Sequence, residues 1–199
     1  GMVSERCAAA LLAGGTSRRM GIPKPGLQLG GITLAGRALR TLRALTDAVV
    51  QAGGEPIAGI EVPLLPDRRR DAGPAAGIEA ALTRFDLPVA VLAVDLPFVV
   101  PTLLEEALHR VERGAEICAP HWRGRWHPLC AVYSPDALPR IARRLDADKH
   151  GLQGLLQQLG TALPDDLLQT LGDPDRLLLN INTPEDLQRA RSILGEVGK

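Results

Sequence analysis

The sequence has few aromatic residues, few cysteines and no net charge. Two tryptophans, one tyrosine and two phenylalanines are its aromatic residues in a chain of 199, so most of any core must be aliphatic. The three cysteines form an odd, scattered set, which disfavours a disulfide framework and predicts reduced thiols in a cytoplasmic protein. The 23 basic and 23 acidic residues cancel. This balance argues against a broad surface for nucleic acid or anionic membranes.

The sequence also lacks a long apolar run. No stretch approaches the ~20 residues that a membrane helix needs, and no secretory signal pattern precedes the first apolar segment. Gly1 before Met2 resembles a remnant of tag cleavage. The length and the 45% apolar content predict one globular domain over residues 2–199.

Apolar runs typical of buried strands alternate with segments of helical periodicity. Residues 7–13 and 89–94 are continuous apolar runs, which favour parallel strands buried on both faces. Residues 33–45 place leucine and alanine at helical spacing, which predicts a helix. A run of leucines at 177–179 predicts a late strand, followed by a helix that Thr183 caps. The alternation predicts an α/β fold with a mostly parallel sheet covered on both faces.

A glycine-rich, cationic segment follows the first predicted strand. Residues 11–25 are Leu-Leu-Ala-Gly-Gly-Thr-Ser-Arg-Arg-Met-Gly-Ile-Pro-Lys-Pro. Gly14 and Gly15 permit a sharp turn close to a ligand, and the N–H groups of such a turn bind anions. Arg19 and Lys24 add positive charge. The glycine spacing fits neither a P-loop nor a dinucleotide fingerprint, but the segment suits a nucleoside triphosphate.

Acidic side chains occupy two positions where α/β sheets bind ligands. Asp95 directly follows the apolar run at 89–94, and the carboxyl end of a central parallel strand is a usual ligand-binding edge. A carboxylate there is also the hard oxygen ligand that Mg²⁺ prefers beside phosphates. Asp67 and Asp71 precede Gly73-Pro74, where proline predicts the start of a helix with free N–H groups. Alternatively, Asp95 caps the next turn, and the other two carboxylates neutralise the adjacent arginines.

Residues 115–133 predict a strand–turn–strand element around Arg123-Gly124. Trp122 and Trp126 flank this turn, and they either stack on a flat heterocycle or cover the sheet edge. Four potential zinc ligands also lie here: Cys118, His121, His127 and Cys130. The zinc interpretation is disfavoured, because the two cysteines lie in apolar strands and the loop is short for a tetrahedral site.

Five separated elements resemble one enzyme family. They are the segment at 11–25, Asp67 before Gly73-Pro74, Asp95-Leu96-Pro97, His127-Pro128, and Asn180-Ile181-Asn182-Thr183-Pro184. In this order they resemble nucleotidyltransferases that release pyrophosphate, and most closely the molybdenum cofactor guanylyltransferases of the MobA-like NTP transferase family. The resemblance spans most of the chain. It implies a single MobA-like NTP transferase domain over residues 2–199 with a three-layer, Rossmann-like nucleotidyltransferase fold.

The resemblance also implies a reaction and roles for residues. The expected reaction transfers GMP from GTP to the phosphate of molybdopterin cofactor, with Mg²⁺ as cofactor and pyrophosphate as product. The implied catalytic residues are Arg19, Lys24 and Asp95, of which Asp95 holds the metal, with Asn182 as a second candidate ligand. The implied nucleotide-binding residues are Leu12, Ala13, Gly14, Gly15, Thr16, Ser17, Lys24, Gln51, Asp67, Gly73 and Asp95. The implied acceptor-binding residues are His127, Pro128, Asn180 and Asn182. Expected partners are the two substrates and molybdoenzyme maturation proteins, with neither nucleic acid nor membrane.

Two alternatives remain open from the sequence. The Leu-Ala-Gly-Gly of residues 12–15 favours GTP, whereas the cytidylyltransferase relatives usually carry Leu-Ala-Ala-Gly. Gln51 stands where the family often has asparagine, so the base contact is either substituted or lost. A related transferase would use CTP with the same pterin, or act on a sugar phosphate or another small phosphorylated acceptor. A non-catalytic molybdenum cofactor binding or insertion partner would bind the pterin without transfer.

Overall fold

Strand β1 (Ala8–Leu12) lies in the middle of the sheet. The computed structural model of the protein describes residues 5–13 and 24–195. In it, β1 pairs in parallel with β4 (Val49–Ala52) on one side and with β6 (Val89–Ala93) on the other. Every residue of these three strands is buried. Small and aliphatic residues are therefore covered on both faces, as continuous apolar runs predict.

The other described strands extend this sheet or form small hairpins. They are β2 (Gln28–Leu29), β3 (Ile32–Thr33), β5 (Leu64–Leu65), β7 (Ile117–Trp122), β8 (Arg125–Trp126), β9 (Cys130–Tyr133) and β10 (Gly160–Leu163). The order in the sheet is β10-β7-β9-β6-β1-β4-β5, β8 pairs with β7, and β2 pairs with β3 separately. Strand β9 is antiparallel to both β6 and β7. The sheet is thus mixed and mostly parallel, which confirms the predicted fold class.

Helices cover both faces of the sheet. The described helices are α1 (Leu34–Arg43), α2 (Pro74–Arg84), α3 (Pro101–Glu112), α4 (Leu138–Asp146), α5 (Leu152–Leu159), α6 (Asp165–Thr170), α7 (Pro174–Leu177) and α8 (Pro184–Ile193). The crossovers through α1 and α2 run in opposite directions across the sheet. Since such crossovers are right-handed, α1 and α2 lie on opposite faces, and both pack on β1. None of the described helices has the length and apolarity to cross a membrane.

The strand order creates a crevice at the carboxyl ends of β1 and β6. The chain leaves β1 towards β4, but it leaves β6 towards β7 on the other side. Open α/β sheets bind ligands at such a reversal of strand order. The site is therefore expected directly after Leu12 and Ala93.

The strand predicted at 177–179 is wrong. Asp173 caps the short helix α7 by accepting a hydrogen bond from the Asp175 N–H, and Pro174 is the first helical residue. Leu178 N–H donates to Pro174 O at 3.0 Å, so the leucines continue a helical turn. A short apolar run does not distinguish strand from helix by periodicity, and here the cap decides.

The predicted turn at Arg123-Gly124 is confirmed. Both residues have positive φ, 51° and 74°, and the flanking residues Trp122 and Arg125 pair directly. A two-residue loop with positive φ at both positions matches the twist of the flanking strands.

Candidate active site

A cleft of about 460 Å³ opens at the carboxyl ends of β1, β4 and β6. Eight of the residues that the sequence singles out line it: Leu12, Ala13, Lys24, Asp67, Asp71, Gly73, Pro74 and Asp95. Gly14, Gly15, Thr16, Ser17 and Arg19 lie outside the described residues. The described part of the site therefore joins the ends of three central strands to the loop before α2.

Asp95 presents an unpaired carboxylate oxygen in this cleft. Its Oδ1 is buried and has no hydrogen-bond partner among the described residues. Burial raises the pKa of Asp95, and the positive charge of Lys24 opposes this shift. A buried oxygen without a partner is costly in a folded protein, so this atom is suited to a cation or a hydrogen-bond donor from a ligand.

Lys24 is held between two acceptors that lie far apart in the sequence. Its Nζ donates to Asn182 Oδ1 at 2.8 Å and lies 3.6 Å from Asp95 Oδ2. The Lys24 side chain is 16% exposed. The ammonium is therefore held in the lining of the cleft, beside the Asp95 carboxylate.

The segment that carries Asn182 is fixed on both sides. Ile181 N–H donates to Asp95 O at 2.8 Å, which ties the segment to the end of β6. Thr183 then caps α8 with a complete capping box. The Thr183 side chain accepts a hydrogen bond from Asp186 N–H, and the Asp186 side chain accepts one from Thr183 N–H. The predicted cap is confirmed, and it explains how a lone exposed asparagine reaches Lys24.

The loop before α2 also lines the cleft, and it requires glycine. Gly73 has φ 62° and ψ −156°, a conformation essentially limited to glycine, and Pro74 follows as the first residue of α2. Gly53 has φ +74°, and a Cβ there would lie 3.0 Å from Asp67 Oδ1. The Asp67 carboxylate therefore lies against the Gly53 backbone, and burial raises its pKa.

Arg69 anchors this loop to two helices. Its guanidinium binds both carboxylate oxygens of Glu79 on α2 at 3.0 Å, and it donates to Asp146 on α4 at 2.7 Å. Glu79 is only 2% exposed. The sequence analysis considers only Asp67 and Asp71 as partners of the adjacent arginines and misses this anchor, although Glu79 within a run of alanines and isoleucine is a signal that could reveal it.

Gln51 does not line the cleft. It is 2% exposed, and its Nε2 donates to Gly53 O at 3.1 Å and to Glu55 O at 2.8 Å. The next residue, Ala52, contacts α2 through Gly77, so the Gln51 side chain points to the other face of the sheet. In the described structure it supports the Gly53-Gly54 turn.

The candidate acceptor residues lie beside the cleft rather than in its wall. Tyr133 is fully buried, and its hydroxyl donates to Pro128 O at 2.8 Å. His127 N–H donates to Pro120 O at 2.8 Å, and burial lowers the pKa of the His127 side chain. Leu129, which directly follows Pro128, does line the cleft. Asn180 is exposed and contributes nothing to the described wall.

Both tryptophans have contacts within the described chain. Trp122 Nε1 donates to Asp175 Oδ1 at 2.9 Å, and the Arg123 guanidinium binds both oxygens of the same carboxylate. Trp126 packs against Gly160.

Within 5–13 and 24–195, no three histidine, cysteine, aspartate or glutamate side chains form a cluster that could hold a metal.

Comparisons with known proteins agree on one family. Residues 9–163 match the family model of the MobA-like NTP transferase domain. Over 192 residues the chain is 34% identical to the molybdenum cofactor guanylyltransferase of Rhodobacter capsulatus, covering 95% of this chain and 97% of that protein. Over 185 residues it is 32% identical to the probable molybdenum cofactor guanylyltransferase of Pelotomaculum thermopropionicum, covering 91% and 90%.

The fold agrees with a solved structure. The crystal structure of molybdopterin-guanine dinucleotide biosynthesis protein A from Archaeoglobus fulgidus matches with a TM-score of 0.82 and 27% identity, covering 96% of this chain and 100% of that one. The family model spans more than half of the chain, and the matched residues include the ends of β1, β4 and β6, which line the cleft. The chain therefore belongs to the MobA-like NTP transferase family and is a nucleotidyltransferase.

Proposed function

We propose that this protein transfers GMP from GTP to the terminal phosphate of molybdopterin cofactor and releases pyrophosphate. One observation carries the proposal furthest: Asp95 lines the cleft, its Oδ2 pairs with Lys24, and its buried Oδ1 has no partner among the described residues. Such a pair of groups suits a substrate that brings phosphates and a divalent cation together. The names of the relatives from Rhodobacter capsulatus and Pelotomaculum thermopropionicum supply the choice of guanylyl group and acceptor.

The residues present fit a Mg²⁺ ion held at Asp95. The buried Oδ1 lacks a partner among the described residues, and Mg²⁺ is usually bound by one or two carboxylates together with substrate phosphates. When bound, the ion would neutralise charge on the triphosphate and orient it. Asn182 is the second candidate ligand, but in this structure its Oδ1 accepts from Lys24.

The nucleotide is proposed to lie along the cleft between the end of β1 and the start of α2. Lys24 would neutralise the negative charge that develops as pyrophosphate leaves. Asp67 and Gly73 also line the cleft, and a carboxylate and backbone groups there can bind the nucleoside. The roles proposed for Gly14–Ser17 and Arg19 rest on the sequence pattern alone.

The reaction needs positioning more than proton transfer. An anionic oxygen of the acceptor phosphate attacks the α-phosphorus of GTP, forming a phosphoanhydride bond. The bond from the α-phosphorus to the bridging oxygen breaks, and pyrophosphate leaves with that electron pair. Because the nucleophile is already ionised, the protein contributes orientation and charge stabilisation. Leu129 in the cleft wall, next to His127-Pro128, indicates the side from which the acceptor would approach.

We also propose a cytoplasmic location, which the thiols support. Cys7, Cys118 and Cys130 are all free and buried, and burial raises the pKa of Cys7 to about 11 and that of Cys118 to about 12. Such thiols are unreactive and form no bridge.

Pyrophosphate release with each nucleotide tests this function. The protein, Mg²⁺ and molybdopterin cofactor are incubated with GTP, CTP, ATP or UTP in turn. Release that depends on both GTP and the cofactor supports the proposal. Preference for CTP would contradict the base assignment while retaining the metal site, and release only with sugar phosphates would contradict the acceptor. Absence of release with every acceptor would favour a binding protein.

A further inference from the structure

The first turn of α8 makes one contact more than a helix cap requires. In a capping box, the acidic side chain at the third helical position accepts from the backbone N–H of the cap residue. Here Asp186 Oδ2 accepts from Thr183 N–H at 3.0 Å and also from Asn182 N–H at 2.9 Å. The reverse bond runs from Asp186 N–H to Thr183 Oγ1 at 3.1 Å. The carboxylate thus holds the residue before the cap as well as the cap itself.

The extra bond acts on the residue that contacts Lys24. Asn182 is exposed, so packing does little to fix its side chain. Its backbone is held by Asp186 on one side, and its neighbour Ile181 is held by Asp95 O on the other. With the backbone fixed in this way, Asn182 Oδ1 lies 2.8 Å from Lys24 Nζ.

The charges of Asp186 and Lys24 favour this arrangement of contacts. Partial burial of Asp186 opposes its ionisation, but bonds from the Asn182 and Thr183 N–H groups and the Lys24 charge lower its pKa overall. An ionised Asp186 is a strong acceptor for two N–H groups at once. It also adds to the negative potential that keeps the Lys24 ammonium near the cleft.

We propose that Asp186 is a positioning residue: it holds the Asn182 backbone so that the Asn182 side chain fixes Lys24 at the cleft. Asp186 itself contacts neither substrate nor Lys24 in this arrangement. The inference rests on the proposed function only in that it gives Lys24 its catalytic importance. The geometric claim concerns this chain alone and can be tested without substrate.

The chain offers a matched pair of variants. Asp186→Ala removes both backbone contacts of the carboxylate, whereas Thr183→Ala removes the other half of the same capping box and leaves the bond to Asn182 in place. Both variants weaken the start of α8 to a similar extent, so their melting temperatures should fall similarly. If Asp186 acted only through helix stability, the two variants would affect Lys24 equally.

Lys24 can be followed individually because the chain has three lysines, Lys24, Lys149 and Lys199. The folded protein without nucleotide is treated with limiting acetic anhydride, and the acetylation of Lys24 relative to the exposed Lys149 is measured by peptide mass spectrometry. We expect Asp186→Ala and Asn182→Ala each to raise this ratio about two- to tenfold, the factor that loss of one hydrogen bond corresponds to. Thr183→Ala should leave it close to that of the unmodified sequence.

Two further variants complete the test. In an Asn182→Ala background, Asp186→Ala should raise the ratio no further, because the two residues act in series. Asp186→Asn keeps an oxygen of the same reach and should restore most of the protection. An equal rise in Thr183→Ala, no rise in Asp186→Ala, additive effects in the double variant, or failure of Asp186→Asn to restore protection would each overturn the proposal. Because no substrate is present, these results do not depend on whether guanylyl transfer is the reaction.

Discussion

Lys24 Nζ donates a 2.8 Å hydrogen bond to Asn182 Oδ1 and lies 3.6 Å from Asp95 Oδ2. This contact joins three parts of the chain: the segment after β1, the end of β6 and the segment before α8. Sequence motifs that are widely separated thereby meet at one point of the cleft. The predictions below test what each part contributes.

The charge and shape of Lys24 should both matter for turnover. We expect Lys24→Met to lower kcat by about 10²-fold or more, as loss of one preorganised charge-stabilising group does. Lys24→Arg should recover only a small part, because a planar guanidinium cannot replace a compact ammonium between two acceptors. Steady-state pyrophosphate release measures this effect, and Lys149→Met serves as the control with unchanged kcat. Full activity in Lys24→Met would refute the assigned role.

Asp95→Asn should separate activity from stability. The substitution removes the charge of a partly buried carboxylate whose Oδ1 lacks a partner in the described structure, so the melting temperature should stay the same or rise. Turnover should fall at least about 10²-fold, because an amide oxygen is a poor substitute for a carboxylate that binds a divalent cation. Thermal unfolding and pyrophosphate release are measured on the same preparation. A large fall in melting temperature would show instead that Asp95 is chiefly a structural residue.

Gly53→Ala should weaken nucleotide binding through Asp67. Its φ is +74°, and the new Cβ would lie 3.0 Å from Asp67 Oδ1, so the carboxylate must move. We expect about a tenfold loss of GTP affinity by calorimetry, the size of one lost hydrogen bond to a charged group. Gly59→Ala is the matched control: its φ is +79°, and no atom of the described chain lies within 4 Å of its new Cβ. Equal losses of affinity in the two variants would show that backbone strain alone is responsible.

Arg69→Met should destabilise the protein strongly. It leaves the buried Glu79 carboxylate without its bidentate partner, and an uncompensated buried charge is strongly destabilising. The double variant Arg69→Met/Glu79→Leu should be more stable than Arg69→Met alone, because no unpaired charge remains. Urea unfolding provides both free energies. If the double variant were the less stable of the two, an unpaired Glu79 charge would not be the source of the destabilisation.

The Asp175 carboxylate should titrate unusually low. Hydrogen bonds from Arg123 and Trp122 lower its pKa to about 2. Since the pKa is depressed on folding, the interaction stabilises the hairpin contact at neutral pH and is lost as the pH falls through this value. A carboxyl NMR titration checks it. Arg123→Asn, which tolerates the positive φ at this position, should return the pKa towards that of an ordinary aspartate, and an unchanged value would show that Arg123 is not the cause.

Local patterns predict the framework of the fold and the position of Asp95 at the end of a central strand. The apolar run at 89–94 indicated a central strand, and Asp95 was expected at its carboxyl end for that reason. Thr183-Pro184 likewise predicts the start of α8, because the cap and the first helical residue are adjacent in the sequence. In these cases the determinants are adjacent in the sequence.

Contacts between distant elements could not be predicted in the same way. The leucines at 177–179 suit a strand or a helix equally, and the Asp173 cap decides for a helix. The sequence leaves open whether Gln51 contacts the nucleotide, and in the structure two carbonyl groups of the following turn bind its amide. The partnership of Arg69 with Glu79 and Asp146, and that of Trp122 with Asp175, depend on how helices and hairpin pack. No local pattern specifies them.

Guanylyl transfer by this protein can be followed through the α-phosphate of GTP. The protein is incubated with Mg²⁺, molybdopterin cofactor and GTP that is radioactively labelled at either the α or the γ position, and the products are separated. We expect that the α label moves to the cofactor, that the γ label appears in pyrophosphate, and that Asp95→Asn abolishes both. Release of the α label as free GMP, or no transfer to the cofactor in the presence of both substrates, would contradict guanylyl transfer to the cofactor.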